Sequence, residues 1–327
     1  MNRNTFCAVL AIACATVASA TSIAAPSPLV IASGPVAAFA FPLGGEICRF
    51  YESFAQDRAR CTVSATDGSV ENLKLLQSGD VPLALVQSDV AADAVSSSGP
   101  FAGAPPFSDL RSILGFFPQA LTILVRSDSA IKQADDLMGQ RIAVGAPGQP
   151  EPIFADFLEG LGWSKADLGG VLEMARSEQI AALCNGKIAA IAFTAPHPNG
   201  FVREAIAACH ATVLDLAGPV LEAAVGAHPA YAPVRLDMSI YGGETRIVQS
   251  FGPRAVLMTT VKLDREVVER LIKSILGHVD DLKKSHPAFA TLDAGSITIS
   301  AGLGAERHPA AAKYMTDNKL SDIQSGE

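Results

Sequence analysis

The 327-residue sequence has no Cys-x-x-Cys pair, no His-Glu-x-x-His and no Gly-x-Ser-x-Gly. It also lacks the phosphate-binding Gly-x-x-x-x-Gly-Lys-Ser/Thr and a Gly-x-Gly-x-x-Gly after its first strand-like run. These absences argue against redox or zinc chemistry, zinc proteolysis, α/β-hydrolase catalysis and nucleotide binding by the usual loops. There is one tryptophan, and only 18% of residues are charged, with a formal net charge of −8. No basic stripe interleaves with aromatic residues, so nucleic acid is not an expected partner. No run beyond the N-terminus has the length of a membrane span. The chain is 49% hydrophobic and long enough for two domains or lobes, each with a sizeable core.

The N-terminus reads MNRNTFCAVLAIACATVASATSIAAP. Arg3 precedes an uncharged apolar run, which leads into the small-x-small sequence Ala18-Ser19-Ala20. This is the pattern of a secretory signal peptide over residues 1–20, with cleavage as late as residue 25. We therefore expect an exported, periplasmic protein. Cys7 and Cys14 fall inside the signal, leaving Cys48, Cys61, Cys184 and Cys209. Four cysteines allow three pairings, and sequence proximity suggests Cys48–Cys61 and Cys184–Cys209. The alternative is free buried thiols acting as small apolar residues.

Strand and helix signals alternate. Apolar runs at 28–33, 60–65, 81–89, 120–126, 141–147, 188–195, 211–216 and 254–260 read as buried strands. Helical spacing is expected over 42–56, 69–78 (Ser69 as N-cap), 152–161, 177–186, 200–209 and one long helix at 264–285. The Pro/Gly/Ser-rich stretch 96–108 reads as a surface loop. The rhythm predicts an α/β protein with mostly parallel sheets covered by helices.

Open parallel sheets bind ligands beyond the carboxyl ends of their strands. The loops in that position are 34–44, 66–69, 87–89, 145–150 and 195–199. Asp67 and Gly68 make a tight turn before the helix at Ser69, whose first-turn N–H groups either face a ligand or are simply capped. Gln87, Ser88 and Asp89 end an apolar strand. His197 is the best-placed histidine, but no nucleophile accompanies it, so neither a catalytic residue nor a metal site is expected.

Five stretches carry a family resemblance: FPLGGEI, TDGSVENLKLLQSGDVPLALVQSDVA, LTILVRSDSAIKQADDLMGQRIAVGAPG, AFTAPHPNG and AERHPAAAKYM. Together they resemble the TAXI proteins, the extracytoplasmic solute-binding subunits of TRAP (tripartite ATP-independent periplasmic) transporters. The resemblance runs from about residue 29 to 317. It implies a type II periplasmic binding protein fold, with two α/β lobes and a ligand cleft between them. Lobe 1 would take residues 28–118 and 245–327, and lobe 2 residues 119–244. It implies a monomeric, non-enzymatic protein without cofactor, which captures a glutamate-like or other small organic acid for membrane permease subunits. A ligand-sensing subunit, or a surface protein that has lost transport, are the alternatives.

The family's ligand loops map onto Phe39, Phe41 and Pro42; Asp67, Gly68 and Ser69; Gln87, Ser88 and Asp89; Pro147, Gly148, Gln149 and Glu151; His197 and Asn199; and Tyr241. Where the family has tyrosines in the first loop, this chain has Phe39 and Phe41. Where the family has a hydroxyl-bearing Pro-Gly-Ser-Gly-Thr loop, this chain has prolines and Glu151. A glutamate at a helix N-terminus competes with any anion for the helix dipole. The resemblance thus implies a more apolar pocket, less hospitable to anions than that of relatives.

Overall fold

The computed structural model describes residues 28–36, 38–54, 59–145, 151–242 and 245–320. The expected signal peptide and the loop residues Pro147, Gly148 and Gln149 lie outside these residues. The strands are β1 (Leu29–Ala32), β2 (Cys61–Ser64), β3 (Leu83–Gln87), β4 (Leu110–Pro118), β5 (Ala120–Arg126), β6 (Arg141–Val144), β7 (Gly170–Leu172), β8 (Ala190–Ala195), β9 (Ala211–Val213), β10 (Tyr231–Asp237) and β11 (Ile247–Thr260). The helices are α1 (Ala40–Phe54), α2 (Ser69–Ser78), α3 (Ser88–Ser96), α4 (Pro152–Gly160), α5 (Arg176–Cys184), α6 (Gly200–Cys209), α7 (Pro219–Ala227), α8 (Arg265–Leu276), α9 (Val279–Ser285), α10 (Ala294–Thr298) and α11 (Pro309–Asp317). Among the described residues, no helix is long and apolar enough to cross a membrane.

The strands form two sheets. The first has the order β10-β11-β3-β1-β2, with β4 also paired to β11. The second has the order β7-β6-β8-β5-β9. They share one plan. In each, a parallel trio (β2-β1-β3, β7-β6-β8) continues into one antiparallel strand, β11 or β5. A further strand, β4 or β9, then pairs antiparallel to that one. The trio strands are short and mostly buried: Leu83, Ala84, Leu85 and Val86 are all under 3% exposed, as the continuous run of a helix-covered parallel strand requires.

Two stretches cross between the sheets. β4 leads through Gln119 directly into β5, and β11 runs antiparallel beside that junction. Gln119 donates its N–H to the Pro253 carbonyl, and the Ser250 hydroxyl donates to the Leu121 carbonyl. A Cβ on Gly252 would lie 1.9 Å from the Gln119 carbonyl oxygen, so only glycine fits there.

Two expectations are corrected. The long helix over 264–285 is two helices. α8 stops at Gly277, and the ring of His278 bonds the Ser274 carbonyl, an acceptor that a continuing helix would bond through the backbone. The 96–108 stretch is not all surface, because Phe101 and Phe107 sit in the core beside Leu110 and Val256.

Candidate functional site

Helix α2 begins where the sequence places it, but Ser69 is not its cap. Gly68 holds that position at φ 115°, a conformation glycine adopts without strain. The Ser69 hydroxyl instead accepts the Gln87 N–H (3.0 Å), joining the turn to the end of β3. Beneath the turn, the fully buried Asn72 amide donates to the carbonyls of Ser33 and Leu85, both at 2.7 Å. Its own carbonyl accepts the Thr66 hydroxyl. One side chain thus fixes the ends of β1 and β3 and the 66–69 turn in a single arrangement.

These strand ends wall a cavity of about 420 Å3. Its lining includes Phe39, Asp67, Gly68, Ser69, Gln87 and Gln119. Gln87 and Gln119 both line it, and their side-chain amides hydrogen-bond to no protein group among the described residues. A second cavity of about 420 Å3 is also lined by Phe39. It takes Phe39, His286 and Ala288 from around the first sheet, and Arg176, Thr194 and Asn199–Phe201 from the second. Phe39 lines both and is steadied edge-on against Phe117, with ring centroids 4.9 Å apart. Another cavity, at the open edge of β9, is lined by Lys132, His210 and Arg246 and lies outside the carboxyl ends of the parallel strands.

Several expected contacts point elsewhere. Phe41 and Pro42 lie in the first turn of α1 and line neither cavity. Ser88 is fully buried; its hydroxyl donates to the Ala230 carbonyl and accepts the Arg254 N–H, a structural role. Asp89 is half-buried and accepts its neighbour Val90's N–H. Burial, and the nearby carboxylates of Asp93 and Asp156, push its pKa up to about 6.

His197 is also inward. Thr122 donates its hydroxyl proton to the Ala120 carbonyl, so its oxygen accepts from His197 Nε2 at 2.8 Å. The remaining nitrogen, Nδ1, then accepts the Tyr241 hydroxyl proton, and the Tyr241 oxygen accepts the Asn199 N–H at 2.8 Å. This chain of bonds assigns the neutral Nε2–H tautomer. Burial holds the ring neutral, with its pKa depressed to about 4. Both ring nitrogens and the tyrosine hydroxyl are therefore spent within the protein.

Glu151 stands at the N-cap of α4 without capping it. Its carboxylate accepts the Thr194 hydroxyl at 2.8 Å. Burial raises its pKa, against the lowering effects of that bond and of Arg176. Arg176 itself was not legible as a site residue. Its guanidinium lies over two rings, 4.6 Å from the centroid of Phe193 and 4.9 Å from that of Phe201. It follows β7, a three-residue strand that starts with glycine, so no strand signal marked the loop before it. Gln119 was missed likewise, although it is the polar break in the apolar run from 113 to 125.

Away from both cavities, Asp156, Glu159 and His228 each bring one donor atom within 4.8 Å of the others, a spacing a metal ion could use. Tyr231 donates to the same Asp156. The cysteines pair as Cys48 with Cys61 and Cys184 with Cys209, at Cα separations of 5.0 and 5.2 Å that suit disulfides.

The fold has solved counterparts. A TctC solute-binding protein from Polaromonas superposes with a TM-score of 0.56 at 15% identity, covering 81% of this chain and 87% of that one. A periplasmic sulfonate-binding protein, SsuA, from Methylobacillus flagellatus KT gives 0.52 at 12% identity, covering 90% and 88%. The architecture is therefore the two-lobed α/β fold of periplasmic binding proteins. The model of the NMT1-like family matches residues 31–318, nearly the whole described chain, and the protein belongs to that family.

Proposed function

We propose that the chain is an extracytoplasmic solute-binding protein, exported by residues 1–20, that captures one small organic solute and delivers it to a TRAP-type membrane permease. The observation that carries this reading is the pair of cavities meeting at Phe39, at the carboxyl ends of β1, β3 and β8. Ligands of open α/β sheets bind in that position. The lining is that of a binding site: an aromatic wall, two unspent amides and a few polar groups, without a nucleophile beside a base. His197, the one histidine weighed for catalysis, has no free nitrogen to offer.

Lobe 1 comprises residues 28–118 and 245–327, and lobe 2 residues 119–244, with Val248 and Phe251, the part of β11 before the hinge, packed into the lobe 2 cores. The lobes hinge where Gln119 meets Gly252 and Pro253. A solute touching Phe39 on one side and Thr194 or Asn199 on the other gains its full contacts only with the lobes together, so binding shifts the open–closed balance toward the closed form. The TAXI resemblance supports the permease as the recipient.

The test is native mass spectrometry of the purified protein, followed by thermal unfolding with the identified solute. A bound small molecule that raises the melting temperature with concentration is expected, because it binds only the folded state. No co-purified molecule, and no shift with a broad panel of amino acids and organic acids, would remove the reading.

A further inference from the structure

Helices α4 and α7 pack closely; a Cβ on Gly160 would meet the Val220 carbonyl oxygen at 3.3 Å. Asp156 and Glu159, three residues apart, share one face of α4. His228, the residue that ends α7, is brought to that face, so that one donor atom from each of the three lies within 4.8 Å of the others. All three remain at least partly open to solvent. One oxygen of Asp156 accepts the Tyr231 hydroxyl, which leaves Oδ1 to His228. Oδ1 and His228 Nε2 stand 3.8 Å apart, too long for a hydrogen bond. Two ligands on one ion keep such a separation, roughly 3–4 Å for bonds of about 2 Å. The Tyr231 bond is the kind of outer contact that holds a ligating carboxylate in one orientation.

The charge around this cluster is unanswered. Burial, the bond to Asp156 and the charges of Asp156, Asp89 and Asp93 all push the Tyr231 hydroxyl pKa upward. Helix α3, which follows β3 of the first sheet, thus brings two carboxylates toward that of Asp156, on the helix that follows β6 of the second. Among the described residues, no lysine or arginine forms an ion pair with Asp89, Asp93, Asp156 or Glu159. Carboxylates gathered without a cation repel one another, and a bound divalent ion removes that cost.

We propose that Asp156, Glu159 and His228 hold a divalent cation of the Zn2+ type, with solvent completing its coordination. One imidazole nitrogen with two carboxylate oxygens is a donor set that Zn2+ accepts, whereas Ca2+ and Mg2+ take oxygen ligands. The ion pins α4 to the turn between α7 and β10, and its charge answers Asp89 and Asp93 from across the seam. None of the three ligands lines either cavity beside Phe39, so the site is a structural one, and the solute-binding reading neither needs it nor falls with it. The expectation of no metal site is reversed here, because positions 156, 159 and 228 form no ligand spacing until α7 folds back onto α4.

The experiment titrates Zn2+, and separately Ca2+, into the tag-free mature protein after chelator treatment, by calorimetry with thermal unfolding in parallel. One Zn2+ per chain should bind and raise the melting temperature. Ca2+ should do neither at the same concentrations. H228Q and D156N should each weaken Zn2+ by more than about 100-fold, beyond the range for losing an outer contact alone. E159Q keeps an amide oxygen and should lose at least about 10-fold. H210Q, at an exposed histidine outside the cluster, should bind as the wild type does. Circular dichroism verifies that the variants are folded. Absence of one-to-one Zn2+ binding, or unchanged affinity in folded H228Q or E159Q, overturns the site. So does a loss in H210Q equal to that in H228Q, or Ca2+ bound as tightly as Zn2+ and indifferent to H228Q.

Discussion

His197 and Asp89 titrate in opposite senses. The folded pKa of His197 is depressed, from the ordinary 6.5 to about 4, so its stabilising contribution is complete above pH 6.5 and is lost as pH falls toward 4. The folded pKa of Asp89 is raised, from 3.8 to about 6, so its contribution is complete below 3.8 and is lost as pH rises through 6. Each effect is on the order of 2–3 kcal/mol, and between pH 4 and 6 they offset one another. The penalty of H197Q should therefore shrink as pH falls from 6.5 to 4, while D89N should gain on the wild type as pH rises from 4 to 6.5. Urea unfolding at several pH values measures both; parallel curves for all three proteins would sink the argument. N72A should cost about 2–4 kcal/mol in the same assay, because it strips partners from buried groups. At this scale the sequence marked loops whose residues line the two cavities, but not which residue of each loop does so. Gln87 lines the cavity, while its neighbours Ser88 and Asp89 do not and bond within the protein. Adjacent residues on a strand end and helix start point apart, and only packing decides which one faces the ligand.

Among elements, those with an apolar period and a clear end were legible: β5, α2 and α6 fall where the sequence put them. β10 was not read as a strand, because Pro233 interrupts it; among the described residues it is an edge strand paired with β11 alone. The two cysteine pairs act at this scale. Cys48–Cys61 ties α1 to β2, and Cys184–Cys209 ties the end of α5 to the end of α6. Arg176 opens α5 and Gly200 opens α6, so the second pair fixes the far ends of the two helices that frame the lobe 2 cavity. Closing loops with sequence separations of 13 and 25 residues is worth about 3 kcal/mol each in the chain-entropy account. The oxidised protein should show no free thiol among these four by alkylation and intact mass. Reduction should lower its unfolding midpoint; four alkylated cysteines in the folded, unreduced protein would refute the pairing.

For the whole molecule, the two crossing stretches matter more than either lobe's own sheet. β11 alone contributes to four separate cores. Val248 packs with Val234 and Leu236, Phe251 with Tyr231 and Phe154, Ala255 and Leu257 with Leu85 and Phe116, and Val256 and Met258 with Leu73 and Val86. A strand shared in this way cannot leave one lobe's core without disturbing the other's. The protein should therefore unfold in one calorimetric transition despite its two lobes, with calorimetric and van't Hoff enthalpies in agreement. F251A opens a cavity on the lobe 2 side and L257A one on the lobe 1 side, each costing about 2–5 kcal/mol. Both should lower the same single transition. If either variant instead splits the transition, so that one part melts early and the other at the original temperature, the lobes are separate folding units. The crossing strands would then be mere tethers, and the hinge could open without strain on the cores.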